Sequence, residues 1–337
     1  MKKLLLLALS VMLLSVSAFG AKNRIWGTGK PTGTYIKYAT EILEYCPNTD
    51  INRDDYISTE ATGAVDNIDG LMTKKYRIGM TDIATLMVLA SENSKINDKK
   101  LKVIAYLDKE PVNIFIPFGY KPENPDADMF SMLGDKFNNA IGNVQPVTLD
   151  INTLKDQIIV SNSGSSVVAK ALSNKLGLNF RLKVMADVGS MINSGKPIML
   201  VGSSPFADAQ KILNSGKYML VEMNHAAIAM RAPFFEPAVV SYKVNGKLIN
   251  IPTISSRALL IGKASKKISK RSKDVIKNQG MRMLATCIAD AAPDLAEESD
   301  LLGWEGAAQF MEDEENLGWD EFEYIEEDEM KKVKAGK

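Results

Sequence analysis

A strand, a glycine-rich turn and an amphipathic helix follow one another near the start of the sequence, and they constrain how the rest can fold. The segment runs from Ile25 to Leu43. Gly27, Gly29 and Gly33 permit positive φ angles and let a ligand reach bare backbone. The free N–H groups at the start of the helix, with the positive end of its dipole, form a site for an anion. We therefore expect an anion site in this turn.

The same pattern recurs further along the chain. The pair Thr62-Gly63 precedes a predicted helix, and the serine-rich turn 163–166 lies between a predicted strand over 157–162 and a predicted helix over 167–176. Because strands and helices alternate in both halves, the pattern indicates an α/β fold with largely parallel sheets. We predict that the turns face one another across a cleft.

The length and composition are those of a chain with two lobes. The 337 residues, 45% of them apolar and 24% charged, suffice to bury two cores. The formal net charge is zero, so we expect no nucleic acid as a partner. Residues 311–337 are strongly acidic and then basic. We predict a disordered or loosely docked tail there, with an amphipathic helix for a partner protein as the alternative.

Residues 1–20 have the features of a secretory signal peptide. Lys2 and Lys3 precede a leucine-rich run from Leu4 to Leu14, and small residues place the cleavage near Ala18 to Ala21. An N-terminal membrane anchor is the alternative, but the apolar run is short for a membrane span. We expect an exported, periplasmic protein without stable membrane insertion.

Residues that commonly carry catalysis are sparse. Cys46 and Cys287 are the only cysteines, and His225 is the only histidine. The cysteines could pair in an oxidising compartment, but two free, buried thiols are an equal alternative. No residues have metal-ligand spacing, and Ser165 lacks a Gly-x-Ser-x-Gly elbow. The glycines also depart from the Gly-x-Gly-x-x-Gly dinucleotide motif. We predict no catalytic residues, no metal and no cofactor.

Four motifs occur in a fixed order between about Arg24 and Ile288. They are Gly27 to Tyr35, Thr62 to Ile68, Gly79 to Asp82, and Ser163 to Ser166. In this order, and behind an export signal, they resemble the TAXI-type solute-binding proteins of tripartite ATP-independent periplasmic (TRAP) transporters.

This resemblance implies a two-lobed periplasmic-binding-protein fold, in which each lobe is a mostly parallel sheet flanked by helices and two strands form the hinge. The hinge would lie near 112–118 and 239–255. Lobe 1 would comprise 21–115 and 250–310, and lobe 2 would comprise 116–249. The resemblance also implies a small organic carboxylate or amino acid, such as glutamate, as the ligand. TRAP-type membrane permease subunits would be the partner, and the protein would not be an enzyme.

The residues predicted to bind the ligand come from these turns and the neighbouring strand ends. They are Thr32, Gly33, Thr34, Tyr35, Thr62, Gly63, Asn67, Thr81, Asp82, Ser163, Gly164, Ser165, Ser166, Gly202 and Ser203. Their hydroxyls and amides would hold a carboxylate, and Asp82 would hold the amine of an amino acid. The alternative is structural, with Thr62 or Asp82 capping a helix and Asn67 facing solvent. Arg231 and Arg257 are candidates for a clamp on the carboxylate, although arginines at a surface or hinge are commoner.

Overall fold

The computed structural model describes residues 24–31, 33–47, 55–58, 60, 62–119, 147–148, 157–176, 180–203, 206–223, 225–265, 273–313, 317–326 and 329. The predicted signal peptide, its cleavage site and the candidate ligand residue Thr32 lie outside these residues.

Eleven strands and nine helices form in the described residues. The strands are β1 (Arg24–Gly27), β2 (Asp55–Ser58), β3 (Ile78–Asp82), β4 (Leu101–Pro117), β5 (Val147–Thr148), β6 (Gln157–Val160), β7 (Arg181–Val184), β8 (Ile198–Val201), β9 (Tyr218–Glu222), β10 (Glu236–Val244) and β11 (Lys247–Lys263). The helices are α1 (Thr34–Tyr45), α2 (Ala64–Thr73), α3 (Ile83–Glu92), α4 (Ser163–Leu176), α5 (Val188–Asn193), α6 (Ala207–Asn214), α7 (His225–Ala229), α8 (Lys273–Glu298) and α9 (Gly303–Glu312).

The first lobe is built on strands β2, β1, β3, β11 and β4, in that spatial order. The three N-terminal strands are parallel, and β11 joins β3 in the antiparallel sense. One core lies between this sheet and helices α1, α8 and α9, and Trp26, Tyr38 and Trp304 are its largest buried side chains. Burial of such aromatic area is the main stabilising term in a lobe of this size.

The second lobe is built on β6, β7 and β8, which run parallel, with β8 antiparallel to the far half of β4. The short strand β5 pairs with β9, which also joins β4. A separate core lies under this sheet, with Phe115, Leu200, Ile212 and Tyr242 fully buried or nearly so. Each lobe therefore has an apolar cluster of its own, and a further cluster that includes Ile83, Val168 and Leu259 spans both lobes.

Two long strands pass from one lobe to the other. β4 and β11 have 17 residues each, and Ser255 of β11 pairs with Pro111 of β4 near the middle of their run. The sequence predicted two separate strands over 101–106 and 112–118, but Asp108, Lys109 and Glu110 continue the strand between them. This topology confirms the predicted α/β class with two lobes and two hinge strands.

A disulfide joins Cys46 at the end of α1 to Cys287 in α8, with 5.9 Å between the Cα atoms. Of the two alternatives that the sequence left open, the structure has the paired one. The bond spans 241 residues of sequence and holds the first helix of lobe 1 against the long helix near the end of the chain.

The C-terminal segment, residues 317–326, is firmly docked, so the prediction of a loose tail is wrong for this stretch. Trp319, Phe322 and Ile325 are at most 6% exposed. The N–H of Val103 in β4 donates to Asp320, and the N–H of Phe322 donates back to Val103, at 2.9 and 2.8 Å. These three residues, which are the apolar ones in an acidic stretch, thus form the buried face of the segment. Across the described ranges, no helix has the length and apolarity needed to cross a membrane.

Candidate functional site

The turn after β1 is fixed by an asparagine from α2. The side-chain amide of Asn67 donates to the carbonyl of Thr28 and, at 2.6 Å, to that of Met80. The hydroxyl of Thr28 donates to the carbonyl of Ser58 at 3.2 Å. Asn67 is fully buried, so the alternative in which it faces solvent is wrong: its amide is needed to satisfy two backbone carbonyls.

Helices α1 and α2 both begin at a glycine without a side-chain cap. Gly33 and Gly63 are their N-cap residues, and Gly63 has a φ of 144°, which favours glycine. Thr34 is the first residue of α1 and does not cap it, and the hydroxyl of Thr62 binds Asp66 instead of a helix N–H. The alternative in which Thr62 caps a helix is therefore wrong.

Asp82 is the N-cap of α3. Its carboxylate accepts from the N–H of Thr85 at 2.9 Å and from the hydroxyl of Ser256 at 2.8 Å. Asp82 and the neighbouring Thr81 are buried. The capping role that the sequence left open for Asp82 is thus present, and burial raises the pKa of its carboxyl.

In the second lobe, the serine-rich turn forms the first turn of α4. The predicted helix began at residue 167, but Asn162 accepts from the N–H of Ser165 at 2.7 Å and caps a helix that begins at Ser163. Ser165 is buried and its hydroxyl lies 3.1 Å from that of Ser161. Gly164 and Ser166 are half-buried in the same turn.

The two helices that follow the predicted turns pack on each other. Ile83 and Val88 of α3 share one apolar cluster with Val168 and Leu172 of α4, and Lys170 forms an ion pair with Glu92 at the edge of this contact. The structure therefore packs the helices that follow these two turns on each other, whereas the arrangement of the turns across a cleft stays a prediction. Apolar side chains of the protein itself join the helices behind them.

A group of carboxyls lies on the inner face of the hinge, near these turns. The hydroxyl of Tyr35 donates to Glu110 at 3.3 Å. Burial raises the pKa of Glu110 well above its usual range, and the charges of Asp82 and Asp108 raise it further. Burial likewise raises the pKa of Asp108, whose carboxylate accepts from Ser203. Here the predicted residues Tyr35, Asp82 and Ser203 surround two acids that sequence reasoning missed.

A signal for the missed acids exists in the sequence. Asp108, Lys109 and Glu110 interrupt an otherwise apolar strand from Leu101 to Pro117. Charged residues are rarely buried without a partner, so three of them in the middle of a buried strand indicate a specialised position.

Arg257 is not available as a ligand clamp. It is 2% exposed and makes two hydrogen bonds of 2.6 Å with the carboxylate of Glu236. Its remaining nitrogen donates to the carbonyl of Leu107 at 2.9 Å, and Phe310 stacks on the guanidinium at 4.0 Å. The structural alternative is thus the one observed for Arg257, and Arg231 lies exposed beyond α7.

A cavity of about 720 Å³ lies between the lobes beside the hinge. Residues of both hinge strands, of β9, α7 and β10 on the side of lobe 2, and of the turn before α9 on the side of lobe 1 line it. The lining residues are Asp108, Lys109, Pro111, Glu222, Met223, His225, Ala226, Pro237, Ala238, Val239, Pro252, Thr253, Leu302 and Gly303. None of the described residues that were predicted to bind a ligand lines this cavity. Ser203 lies next to it, because its hydroxyl interacts with Asp108, which is a lining residue.

His225 contributes its ring to this wall. Its Nε2 lies 2.9 Å from the carbonyl of Phe235, which can only accept, so this nitrogen carries the hydrogen. In the portion of the chain with described positions, no set of three or more His, Cys, Asp or Glu side chains is arranged to hold a metal ion.

No protein-family model and no curated protein matches the sequence. Three solved structures with similar folds illustrate the range of likeness. A Candida albicans protein described as having the generic periplasmic binding protein fold is 15% identical over 87% of this chain and 80% of that chain, with a TM-score of 0.39. A periplasmic sulfonate-binding protein from Methylobacillus flagellatus is 9% identical over 87% and 72%, with a TM-score of 0.43. A marine metagenome TRAP solute-binding protein specific for pyroglutamate is 10% identical over 94% and 90%, with a TM-score of 0.40. At these identities and TM-scores the likeness carries no argument about the ligand or the partner.

Proposed function

We propose that this chain is an exported, periplasmic solute-binding protein that captures a small organic anion, a carboxylate or an amino acid such as glutamate. It would deliver the solute to TRAP-type membrane permease subunits and catalyse nothing. The observation that supports this proposal best is the cavity of about 720 Å³ between the lobes, lined from both hinge strands. Its volume lies in the range of about 300–1,000 Å³ that small-molecule sites occupy.

The hinge supplies a physical means of closure. Because β4 belongs to the sheets of both lobes and the first half of β11 packs in the core of lobe 2, bending them near Pro111 and Ser255 changes the separation of the cavity walls. Leu302 on one wall and Val239 on the other are 77% and 62% exposed. Burying such side chains around a solute would favour the closed form.

Of the two solute classes, the amino acid fits the electrostatics better than a simple carboxylate. Arg257 is neutralised by Glu236, Asp108 and Glu222 line the cavity, and the buried Glu110 lies near Asp108. A solute with only negative charge would meet these acids without a counter-charge, whereas an amino group would supply one.

Thermal unfolding against dicarboxylates, keto acids, amino acids and amines tests the proposal, since a solute that binds only the native state raises the melting temperature. The variant Ala226→Trp places a large ring on the cavity wall, and Ala207→Trp is the matched control at an exposed alanine of α6. We expect a specific shift of several degrees that Ala226→Trp abolishes and Ala207→Trp retains. A shift that both variants retain equally would place the solute elsewhere and contradict the cavity as the site.

An exported interaction protein that keeps the fold is the second candidate. It is favoured by the internal bonds of Asp82, Asn67 and Ser165, which occupy groups expected to face a ligand. Flat melting temperatures across the whole panel would support this candidate. Turnover of any panel member would instead indicate an enzyme.

A further inference from the structure

We propose that the cavity between the lobes selects solutes that carry a protonated amino group, with Asp108 as the anchor and the hydroxyl of Tyr38 beside it. This inference rests on the proposed function and names the chemistry by which the same site would recognise its solute. The expected class is an amino acid with an apolar body, which is one of the two solute classes of the proposed function.

Asp108 has the position and the spare capacity for this role. It lies in hinge strand β4, lines the cavity and is half-buried. Ser203 of the second lobe donates to its carboxylate, and so does the backbone N–H of Lys109. Because an ionised carboxylate has about four acceptor positions, at least one stays open for an ammonium N–H.

The hydroxyl of Tyr38 provides an independent indication of a missing partner. Tyr38 is 1% exposed, and its hydroxyl has no hydrogen-bond partner among the described residues. A Cβ added to Gly303 would lie 2.1 Å from this hydroxyl and 2.2 Å from the carboxyl carbon of Asp108. The hydroxyl of Tyr38 and the carboxyl group of Asp108 therefore both lie close to Gly303, which lines the cavity and leaves no room for a side chain. A buried hydroxyl without a partner is costly, and an ammonium beside it would donate to its oxygen.

The rest of the wall offers little to an anion. Lys109 is the one cationic residue among those found to line the cavity, and its ammonium lies 3.3 Å from Glu236. Pro111, Pro237 and Pro252 have no N–H to donate. Since anions are bound by N–H donors and cations, this wall disfavours a solute whose recognition depends on a carboxylate alone.

Apolar surface makes up much of what remains. Met223, Val239 and Leu302 line the cavity together with the rings of the prolines. Asp108 and Glu222 are the two carboxylates among the lining residues, and this negative charge combined with apolar walls fits a solute that has a cationic end and an apolar body.

Isothermal titration of the full chain with matched solutes tests the inference. The pairs are phenylalanine with 3-phenyllactate, glutamate with 2-hydroxyglutarate, and pentylamine with pentanol, so that each pair differs by its amino group. We expect the amine of at least one pair to bind 10-fold or more tightly than its hydroxyl analogue. Asp108→Asn should abolish that preference, whereas Asp208→Asn, at a half-buried carboxylate of α6 outside the cavity lining, should preserve it.

Tyr38→Phe is the second variant, because it removes only the unpaired hydroxyl and should fold. We expect it to weaken the amine several-fold and leave the hydroxyl analogue unchanged. Equal affinities within every pair, or hydroxyl analogues that bind more tightly, would overturn the amine assignment while leaving solute binding intact. Absence of binding by all six solutes, with native unfolding curves, would overturn both the assignment and the proposed function.

Discussion

Two glutamates on opposite sides of the hinge are equally buried, each 9% exposed, yet their surroundings differ in charge. Glu236 has two bonds from Arg257 and an ion pair with Lys109. Within the described part of the chain, Glu110 accepts a hydrogen bond from the hydroxyl of Tyr35 and faces two further acids. The first side is a completed ion-pair network, and the second groups three acids without a counter-charge, which together with burial raises the pKa of Glu110. Burying acids without a counter-charge lowers the free energy of unfolding, so this arrangement indicates a binding place for a cationic partner.

The largest effect is expected from breaking the ion-pair network of Glu236 and Arg257. Arg257→Met would leave Glu236 buried with only the more exposed Lys109, and the free energy of unfolding should fall by about 3–5 kcal/mol. Urea unfolding measures this loss. Lys170→Met is the control, because the pair of Lys170 with Glu92 is more exposed and should contribute about 1 kcal/mol or less. Equal losses in the two variants would show that the buried ion pair of Arg257 contributes no more to stability than an exposed one.

A substitution among the acids around Glu110 should raise the stability of the protein instead of lowering it. Glu110→Gln removes a buried ionisable group beside two further acids and keeps the shape of the side chain, so the variant should be more stable than the wild type at pH 7. A gain on the order of 1 kcal/mol corresponds to about 2–4 °C in Tm for a domain of 150–250 residues. Calorimetry measures it, and a fall in Tm would mean that the charge of Glu110 is compensated in the apo protein.

The free energy of unfolding should also depend on pH in a way that reflects the burial of Glu110. Burial raises the pKa of Glu110, so the native state binds more protons than the unfolded chain and stability falls as pH rises. The loss begins near the unfolded pKa of about 4.3 and is complete above the raised native pKa. Unfolding curves between pH 4 and 8 should show this slope for the wild type and a shallower one for Glu110→Gln. Parallel slopes would show that other groups cause the dependence.

The smallest effect is expected at Tyr35. Tyr35→Phe removes the hydroxyl that donates to Glu110, which leaves that carboxyl with less support in its charged form. The free energy of unfolding should fall by roughly 0.5–1.5 kcal/mol at pH 7. In the background of Glu110→Gln the same substitution should cost less, because no charge is left to support. An unchanged cost in that background would exclude coupling between the two residues.

Sequence patterns predicted the order of strands and glycine turns well, because each turn is a local feature. The start of α4 and the length of β4 were missed, since Asn162 acts as a cap only in the folded backbone and the charged triplet 108–110 disguises a continuous strand. The partner of Arg257 and the docking of residues 317–326 depend on contacts between distant parts of the chain. No local pattern contains that information, and the same holds for the cavity.

The most direct measurement of the central claim is the number of protons exchanged when a solute binds. Titration of the wild type with its tightest amine near pH 5.5, in two buffers of different ionisation enthalpy, gives this number. If an ammonium enters beside Asp108 and Glu110, their pKa values fall and protons are released to the buffer. Proton uptake on binding would contradict the account, because it would mean that the solute adds negative charge beside these acids.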